Sequence, residues 1–363
     1  MKTMSRLKQT CLATGKSCGL FSVASSSRFR NARSLVLGYH GISLVDEDLW
    51  NPSLYLSADT FRRRMYLLRS CRCTVLSLEE SLDLTRLGKL PDRTVVLTFD
   101  DGTYDFYGAV WPILKEFGYP ATLYLNTYYV ENQFPCTPGI WSYMLWKARN
   151  LKVNAGEILG QDCIFNLTEE SGRSEALRQI VSVGNPDQMD ARRRNDLSEK
   201  LAHILGLDFE TLRDSRIHQL LRPEEVRELA RDGVSVQMHM HKHKSPPTRE
   251  AYIENLEINR QRITTMTGST PRHFCYPSGR YSQERVNWLR ECAISSATTC
   301  HPGLFSARTE PLLIPRLIDS SNVSDATFES WLAGIGVLLS NCGAWLHRAI
   351  DVPAKIMSLR RAA

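Results

Sequence analysis

Short apolar runs separated by helical patterns organise most of this chain. Each run is almost wholly apolar and bounded by polar or turn-forming residues, which is typical of a strand buried in a parallel sheet. The predicted strands cover residues 34–39, 74–78, 94–99, 121–125, 234–238 and 274–277. Apolar residues recur at helical spacing between them, over residues 61–68, 110–117, 223–231 and 252–266. This alternation predicts an α/β fold, in which reactive groups lie in loops at the carboxyl ends of the strands.

The same pattern divides the chain into three segments. Residues 1–33 are basic and rich in serine and threonine, and we expect a loosely held leader there. A catalytic domain is predicted over residues 34–325. Within it, residues 131–215 lose the βαβ rhythm, so we expect a helical insertion over the core. The remaining residues, 326–363, form a basic C-terminal tail.

The C-terminal tail carries an amphipathic pattern. Its large apolar residues recur at helical spacing, with no charged residue between Glu329 and His347. The stretch is short for a bilayer crossing and contains Gly334 and Gly336, so an amphipathic helix lying on a membrane surface fits better. A helix packed on its own domain explains the same pattern equally well.

Composition and charge exclude several classes of protein. With 42% hydrophobic and 23% charged residues over 363 positions, the chain matches ordinary globular proteins rather than disordered, fibrous or polytopic membrane proteins. The net charge of +6 is concentrated at the two ends of the chain, which suits contact with anionic lipid, although solvated basic tails explain it too. We expect no nucleic-acid partner, because the core has no basic stripe with interleaved aromatic residues.

The cysteine pattern bears on the cellular compartment. The ten cysteines include no C-x-x-C pair of the kind that a structural zinc site needs, and we interpret them as mostly reduced thiols. The N-terminal region lacks the uninterrupted apolar segment of a secretory signal. These features predict a cytoplasmic location, with peripheral attachment to the inner face of a membrane through the basic ends and the C-terminal helix.

Two polar segments that follow predicted strands supply the candidate chemistry. One strand leads to Asp100 and Asp101, and another leads to His239 and His243, with His241 between them expected to take an outer position. One carboxylate and two imidazoles suit a divalent-metal site, and adjacent aspartates would repel each other unless a cation bound one of them. Because a bound cation lowers the pKa of water, the set indicates a hydrolase. Taken separately, the segments also fit an ordinary capped turn and a solvated basic loop.

These segments resemble the two signatures of the polysaccharide deacetylase, or NodB-homology, family. The run TFDDG that contains Asp100 and Asp101 is similar to the first signature, and His-x-x-x-His from His239 to His243 is similar to the second. The resemblance implies a distorted (β/α) barrel with Asp101, His239 and His243 as metal ligands and Asp100 as the general base on the metal-bound water. The expected cofactor is zinc, with cobalt, nickel or iron as alternatives that this donor set also suits.

The chain departs from the family pattern in places that bear on catalysis. Cys275 stands where many members carry an arginine that braces the base; Arg316 is the candidate replacement, and an ordinary surface arginine is the equal alternative. The resemblance favours His40, after the first strand, as the acid for the leaving amine, since no C-terminal Leu-x-x-His is recognisable. It also implies that the N–H of Ser278, in a turn with Tyr276, stabilises the oxyanion. We group Ser278, Tyr276 and Arg316 as oxyanion or substrate residues.

Together these features predict a metal-dependent hydrolase that removes acetyl groups, N-acetyl in preference to O-acetyl, from a carbohydrate or glycan precursor. The family resemblance extends over roughly residues 35–320. Two alternatives stay open: a catalytically weak carbohydrate-binding protein that keeps the metal site, and an amidase of the same fold that acts on a small cyclic amide.

Overall fold

The computed structural model describes residues 12, 14–133, 138–183 and 189–337. Its strands are β1 (Leu35–Tyr39), β2 (Gly41–Ser43), β3 (Tyr55–Ser57), β4 (Thr74–Leu76), β5 (Thr94–Phe99), β6 (Thr122–Leu125), β7 (Lys152–Asn154), β8 (Ile164–Asn166), β9 (Ser235–Met238), β10 (His273–Cys275), β11 (Ser296–Thr298) and β12 (Leu317–Ile318). Its α-helices are α1 (Leu20–Ser25), α2 (Arg28–Asn31), α3 (Glu47–Trp50), α4 (Ala58–Ser70), α5 (Leu78–Arg86), α6 (Trp111–Phe117), α7 (Thr127–Asn132), α8 (Gly139–Lys147), α9 (Gly156–Leu159), α10 (Glu170–Ser182), α11 (Ala191–Leu205), α12 (Phe209–Asp214), α13 (Pro223–Arg231), α14 (Arg249–Thr267), α15 (Gln283–Glu291) and α16 (Asp325–Leu332). A π-helical turn spans Phe106–Val110, and 3₁₀ turns span Pro277–Gly279 and Pro311–Leu313.

Eight strands form one parallel sheet that curls into a distorted barrel, as predicted. The strand order is β11-β10-β9-β6-β5-β1-β12, with β4 paired to β5 outside this path. Residues 314–318 pair with both edges of the sheet: Ile314 with Thr298 of β11, and Leu317 of β12 with Leu37 of β1. This closing segment therefore joins the two edges of the curl.

The predicted strands at β1, β5 and β6 are buried throughout, because helices cover the outside of the sheet. Every residue of β1 and β5 is buried, as expected for parallel strands that lack a solvent face. The predicted strand over 94–99 coincides with β5, and the predicted helix over 252–266 lies within α14. The short strands β11 and β12 were not predicted.

The insertion is mostly helical and has its own apolar core. Helices α8, α10 and α11 contribute Trp141, Ile180 and Leu201 to that core. The insertion also contains an antiparallel pair of strands, β7 and β8, that the sequence did not predict. These strands have three residues each, which is too short to leave a recognisable alternation in the sequence.

Both ends of the described chain pack at the amino-terminal end of the barrel. The buried Arg30 guanidinium donates to the carbonyl oxygens of Leu332 and Thr94, which ties α2 and α16 to the start of β5. The described part of the predicted leader is therefore anchored rather than loosely held. Because Trp331 and its apolar neighbours are buried, α16 packs on its own domain, and the prediction of a membrane-lying helix is wrong for residues 325–332. The rest of that predicted helix, beyond residue 337, lies outside the described residues.

Within the described ranges, no helix combines the length and the apolar character needed to cross a bilayer. The cysteines described by the structure at positions 18, 71, 73, 163, 275, 292 and 300 are free thiols. The cytoplasmic location and the segment boundaries remain predictions.

Candidate active site

The predicted site residues meet at the carboxyl end of the barrel. Asp100 and Asp101 directly follow β5, His239 directly follows β9, and His40 directly follows β1. The carboxyl ends of parallel strands open to the same pole of a barrel, which brings these loops together. The Asp100 N–H donates to the carbonyl oxygen of Tyr39 at 3.0 Å, so the loops after β1 and β5 are held to each other.

Three side chains converge on one point in this region. The Asp101 Oδ1 atom lies 3.3 Å from Nε2 of His239 and 3.1 Å from Nε2 of His243. This buried oxygen has no hydrogen-bond partner within the part of the chain that the structure describes, although the two nitrogens are near. One carboxylate oxygen and two imidazole nitrogens that face a common point are the donors of a three-residue divalent-metal site with open positions. The residues therefore fit the predicted cation.

Left-handed backbone conformations direct these ligands. Asp101, Met240 and His243 have φ angles of 73°, 65° and 53°, in a region that non-glycine residues rarely adopt. Gly102 also has a positive φ, and a Cβ at this position would lie 2.2 Å from Cδ1 of Leu125, so a larger residue would have to displace the Leu125 side chain. Such strain persists where surrounding contacts impose it, as at ligand sites.

Neighbouring groups fix the orientation of His239. Its Nδ1 lies 2.9 Å from the carbonyl oxygen of Cys275, and donation to that oxygen leaves Nε2 free as a ligand toward Asp101. The His239 N–H donates to Oδ1 of Asn259 on α14, whose amide donates to the Leu125 carbonyl oxygen. The buried Asn259 thus ties the histidine loop to β6. Sequence analysis missed Asn259, because a lone asparagine within a helix matches no motif.

His241 bonds outside the ligand triad, in agreement with its expected outer position. Its Nδ1 lies 2.9 Å from Oγ1 of Thr127, and its N–H donates to Oδ1 of Asn255. These contacts hold the loop between the two histidine ligands against α7 and α14.

Arg316 braces Asp100 in a buried bidentate ion pair. Its Nη1 and Nη2 each lie 2.8 Å from one carboxylate oxygen of Asp100. Burial disfavours the charged carboxylate, but the adjacent guanidinium outweighs this and lowers the pKa of Asp100 to about 2. Cys275 Sγ lies 3.1 Å from Arg316 Nη2, beside the pair.

This geometry corrects two expectations about Arg316. The side chain is fully buried, so the interpretation as a surface arginine is wrong. Its donors bond to Asp100, Thr98, Thr299 and a cysteine sulfur inside the protein, so Arg316 positions the candidate base instead of contacting substrate.

His40 lies beside the same carboxylate. Its Nε2 is 3.6 Å from Oδ2 of Asp100, and its side chain is 22% exposed. Burial lowers the pKa of His40, an effect that the charges of Asp100 and Asp101 partly oppose. Nδ1 has no hydrogen-bond partner among the described residues. The position is compatible with proton transfer, and the role of general acid remains a prediction.

Tyr276 and Ser278 are the two remaining predicted residues, and they differ in their exposure at the turn after β10. Tyr276 is buried. Its hydroxyl donates to the carbonyl oxygen of Leu312 at 3.0 Å, and its backbone N–H donates to the carbonyl oxygen of Thr298. Both donors are thus engaged inside the protein, which corrects the prediction that Tyr276 contacts substrate. Ser278 is exposed and has a φ of 55° in the 3₁₀ turn, and the oxyanion role of its N–H remains a prediction.

Asp105 connects the Asp100 loop to the strand after His40. Its Oδ2 accepts the N–H of Ile42 at 2.7 Å. Burial raises the pKa of Asp105 to about 7, against the opposing hydrogen bonds of Thr103 and Ile42. Sequence analysis missed this residue, since one aspartate after an Asp-Asp pair gives no separate signal.

A sequence profile of the family described as polysaccharide deacetylase matches residues 87–297. Over 88 residues, the chain is 33% identical to the poly-beta-1,6-N-acetyl-D-glucosamine N-deacetylase of Escherichia coli strain K12. Over 118 residues, it is 28% identical to the protein of that name from Staphylococcus aureus strain MSSA476. The alignments cover 24% and 29% of this chain, and only 13% and 40% of the relatives' own lengths.

Among solved structures, the fold is similar to that of the Streptococcus pyogenes deacetylase PplD, determined in complex with acetate. The superposition has a TM-score of 0.53 at 18% sequence identity and covers 80% of this chain and 94% of that one. A likeness at this identity concerns the fold, which is the same curled parallel sheet.

Proposed function

The chain belongs to the polysaccharide deacetylase family, and from that premise we propose that it is a metal-dependent hydrolase that removes acetyl groups from a carbohydrate. We favour N-acetyl over O-acetyl groups on a glycan or glycan precursor. The observation that carries this proposal is the convergence of Asp101, His239 and His243 on one point beside the braced carboxylate of Asp100. A divalent cation bound there would polarise the acetyl carbonyl and lower the pKa of water.

The protein's own residues supply the proton transfers in this proposal. Asp100 stays ionised beside Arg316 and takes a proton from the attacking water. The amide C–N bond then breaks, acetate forms, and His40 delivers a proton to the leaving amine. The N–H of Ser278 is proposed to donate to the oxyanion of the tetrahedral intermediate.

Acetate release from chitooligosaccharides, peptidoglycan fragments and lipid-linked sugars tests this function. We expect Asp100→Asn to lower kcat by about 10²-fold to 10⁴-fold with metal content unchanged, because it removes the general base. Asp101→Asn should lower metal content itself. Asp92→Asn, at an exposed position, is the matched control. Absence of acetate release from every substrate by the metal-loaded protein would refute the proposal.

The Arg316 brace favours catalysis over the alternative of a weak carbohydrate-binding protein. That alternative arose because Cys275 stands where the family resemblance implies a bracing arginine, and Arg316 supplies a guanidinium from the residue directly before β12. Glycan affinity that persists in Asp100→Asn, with no activity in either form of the protein, would instead favour the binding protein. No observation favours the cyclic amidase.

We propose zinc as the cation, with cobalt, nickel or iron as alternatives that two imidazoles and a carboxylate also accept. Elemental analysis of the purified protein, followed by reloading of the chelated protein with each ion, tests this choice. The expected result is one equivalent of metal that is lost in His239→Ala.

We also propose peripheral contact with an anionic membrane through the N-terminal helices. Leu20, Val23 and Phe29 are 49%, 73% and 43% exposed, and the exposed Arg28 lies among them. Apolar side chains beside basic ones suit binding in the interfacial region of a bilayer. Sedimentation with anionic vesicles should weaken in Val23→Ser, and unchanged sedimentation would reject this contact.

A further inference from the structure

Three successive loops at the rim of the active site contain basic residues and no acidic ones. They follow β9, β10 and β11 and cover residues 239–249, 276–283 and 299–309. No aspartate or glutamate occurs in any of them. Because these strands are neighbours at one edge of the sheet, the loops form a continuous cationic rim.

Three basic side chains at this rim are available to a ligand: Lys242 and Arg280 in the loops, and Arg285 in the first turn of α15, after the exposed Glu284. Lys242 lies between two predicted metal ligands, and its Nζ is 5.2 Å from the ring centroid of Tyr128. Arg280 is exposed directly after the 3₁₀ turn that contains Ser278. Within the described ranges, none of the three forms an ion pair with a carboxylate: Lys242 contacts a tyrosine ring, and Arg285 contacts a carbonyl oxygen.

Arg285 connects the rim across two loops. Its Nη2 donates to the carbonyl oxygen of Ser245 at 3.5 Å, so α15 and the histidine loop lie side by side. Two acidic residues on the opposite side of the barrel, in the segment after β2, are already engaged. Asp46 pairs with Lys147 at 2.8 Å, and Glu47 accepts backbone N–H groups of its own loop.

The charged groups at the bottom of the site do not cancel the positive potential of the rim. Arg316 balances Asp100, and a divalent cation would more than balance Asp101. A cleft lined by one sign of charge raises the local concentration of ligands of the opposite sign. The rim therefore attracts anions and repels cations at the place where a glycan enters.

We propose that the cationic rim of Lys242, Arg280 and Arg285 selects acetylated glycans that carry anionic groups, either sugar carboxylates or phosphodiesters. This specificity rests on the proposed deacetylase function. The same field disfavours chains that already carry free amines, because each hydrolysed N-acetyl group leaves an ammonium at neutral pH. Successive hydrolysis of neighbouring units is then slower than hydrolysis at separated units.

The test compares the deacetylation rates of the metal-loaded full chain on oligosaccharides that have equal length and different charge. The probes are a neutral N-acetylhexosamine hexamer, one with alternating uronate units, one with phosphodiester links, and one with half its amines free. At low salt we expect kcat/KM to be about 10-fold higher for an anionic probe than for the neutral one, and lower for the amine probe, since exposed charges contribute a few-fold each. Salt at 0.5 M should reduce these differences because it screens exposed charges.

Charge removal on the rim distinguishes this specificity from a general salt effect. Lys242→Gln with Arg280→Gln should abolish most of the preference for anionic probes. Arg72→Gln with Lys89→Gln removes the same charge from exposed positions ahead of β4 and β5, at the other pole of the barrel, and should leave the preference intact. Equal kcat/KM values for all probes, or a preference that the rim variant retains, would overturn the proposal. A preference for only one anionic probe identifies carboxylate or phosphodiester as the recognised group.

The proposal has a separate readout if no acetate is released. Calorimetric binding to the metal-loaded Asp100→Asn variant should rank the probes in the same order. The same ranking without activity would sustain the rim and reject the deacetylase function. Activity with no ranking by charge would sustain the function and reject the rim.

Discussion

The Asp100–Arg316 ion pair lies inside the protein, where an unpaired charge is costly. Its bidentate geometry satisfies both carboxylate oxygens at 2.8 Å, and the guanidinium is the group best suited to such a contact. The carboxylate therefore remains ionised and fixed in direction, which is what a general base requires. Arg316, directly before β12, thus provides the brace that the family resemblance led us to expect at position 275.

Replacement of Arg316 should separate catalysis from metal binding. We expect Arg316→Met to lower kcat by about 10²-fold or more. Asp100 would lose the ion pair that fixes the direction of its carboxylate and lowers its pKa. Unfolding free energy should fall by about 3–5 kcal/mol, since the variant leaves a buried charge unpaired. Steady-state kinetics and urea unfolding measure these two effects, and metal analysis should show an unchanged metal content.

Cys275→Ser is the matched control, since it alters a neighbour of the ion pair without breaking the pair. It should keep kcat within a few-fold of the parent protein. Loss of metal in Arg316→Met, with activity lost in proportion, would contradict the assigned brace.

At the scale of elements, the candidate ligand His239 depends on a contact from α14. Asn259 receives the N–H of His239 and donates to the carbonyl oxygen of Leu125, so one buried side chain connects a helix, β6 and the ligand loop. Partners of this kind tune metal affinity even though they never touch the ion.

We predict that Asn259→Ala weakens metal affinity by about 10-fold to 100-fold through the loss of that support. Competition with a chelator of known affinity measures the change. Asn287→Ala, on the exposed face of α15, should have no effect. Unaltered affinity in Asn259→Ala would mean that strain at Asp101 and His243 alone orients the ligands.

The contact between Asp105 and β2 predicts a pH-dependent stability. Burial raises the pKa of Asp105 from 3.8 to about 7, so its contribution to stability is complete below pH 4 and is lost as pH rises through 7. Asp105→Asn removes this titration while its amide oxygen can still accept the Ile42 N–H. The unfolding free energy of the variant relative to the parent should increase from pH 5 to pH 8 by about 2–4 kcal/mol.

Urea unfolding at each pH measures that difference. Asp92→Asn serves as the control and should show no change relative to the parent across the same range. A difference for Asp105→Asn that is constant with pH would show that the carboxyl group has an ordinary pKa.

At the scale of the molecule, the sequence predicted the parts of the barrel that have long apolar runs and clear loops. The strand β5 with Asp100 and the His-x-x-x-His segment were predicted because their chemistry is local in sequence. The brace on Asp100 was only a candidate, because 216 positions separate Arg316 from Asp100 and no periodicity links them. β12 has two residues, which is too short for any strand pattern.

Closure of the barrel depends on a close contact between β1 and β12. A Cβ on Gly38 would lie 2.6 Å from Cδ1 of Ile318 and 3.4 Å from Cζ of Arg316. We predict that Gly38→Ala displaces the closing segment and lowers both Tm and kcat, by several degrees and about 10-fold, because overpacking costs about 1–3 kcal/mol.

The double variant Gly38→Ala with Ile318→Val tests the cause, since valine lacks the Cδ1 atom that the new methyl group meets. It should regain most of the lost activity, and Ile318→Val alone should have little effect on Tm or kcat. Failure of the second substitution to restore kcat would show that Gly38 acts through some other contact.

Residues 314–318 complete the barrel late in the chain, after every candidate metal ligand. A nascent polypeptide, or one clipped by a protease ahead of Arg316, would still carry Asp101 and both histidines, yet its base would have no guanidinium beside it. In the proposed mechanism, metal binding would therefore precede hydrolytic competence, which would require residues 314–318 to pair with β1 and β11. Metal content alone is thus an unsafe measure of how much of a preparation is active.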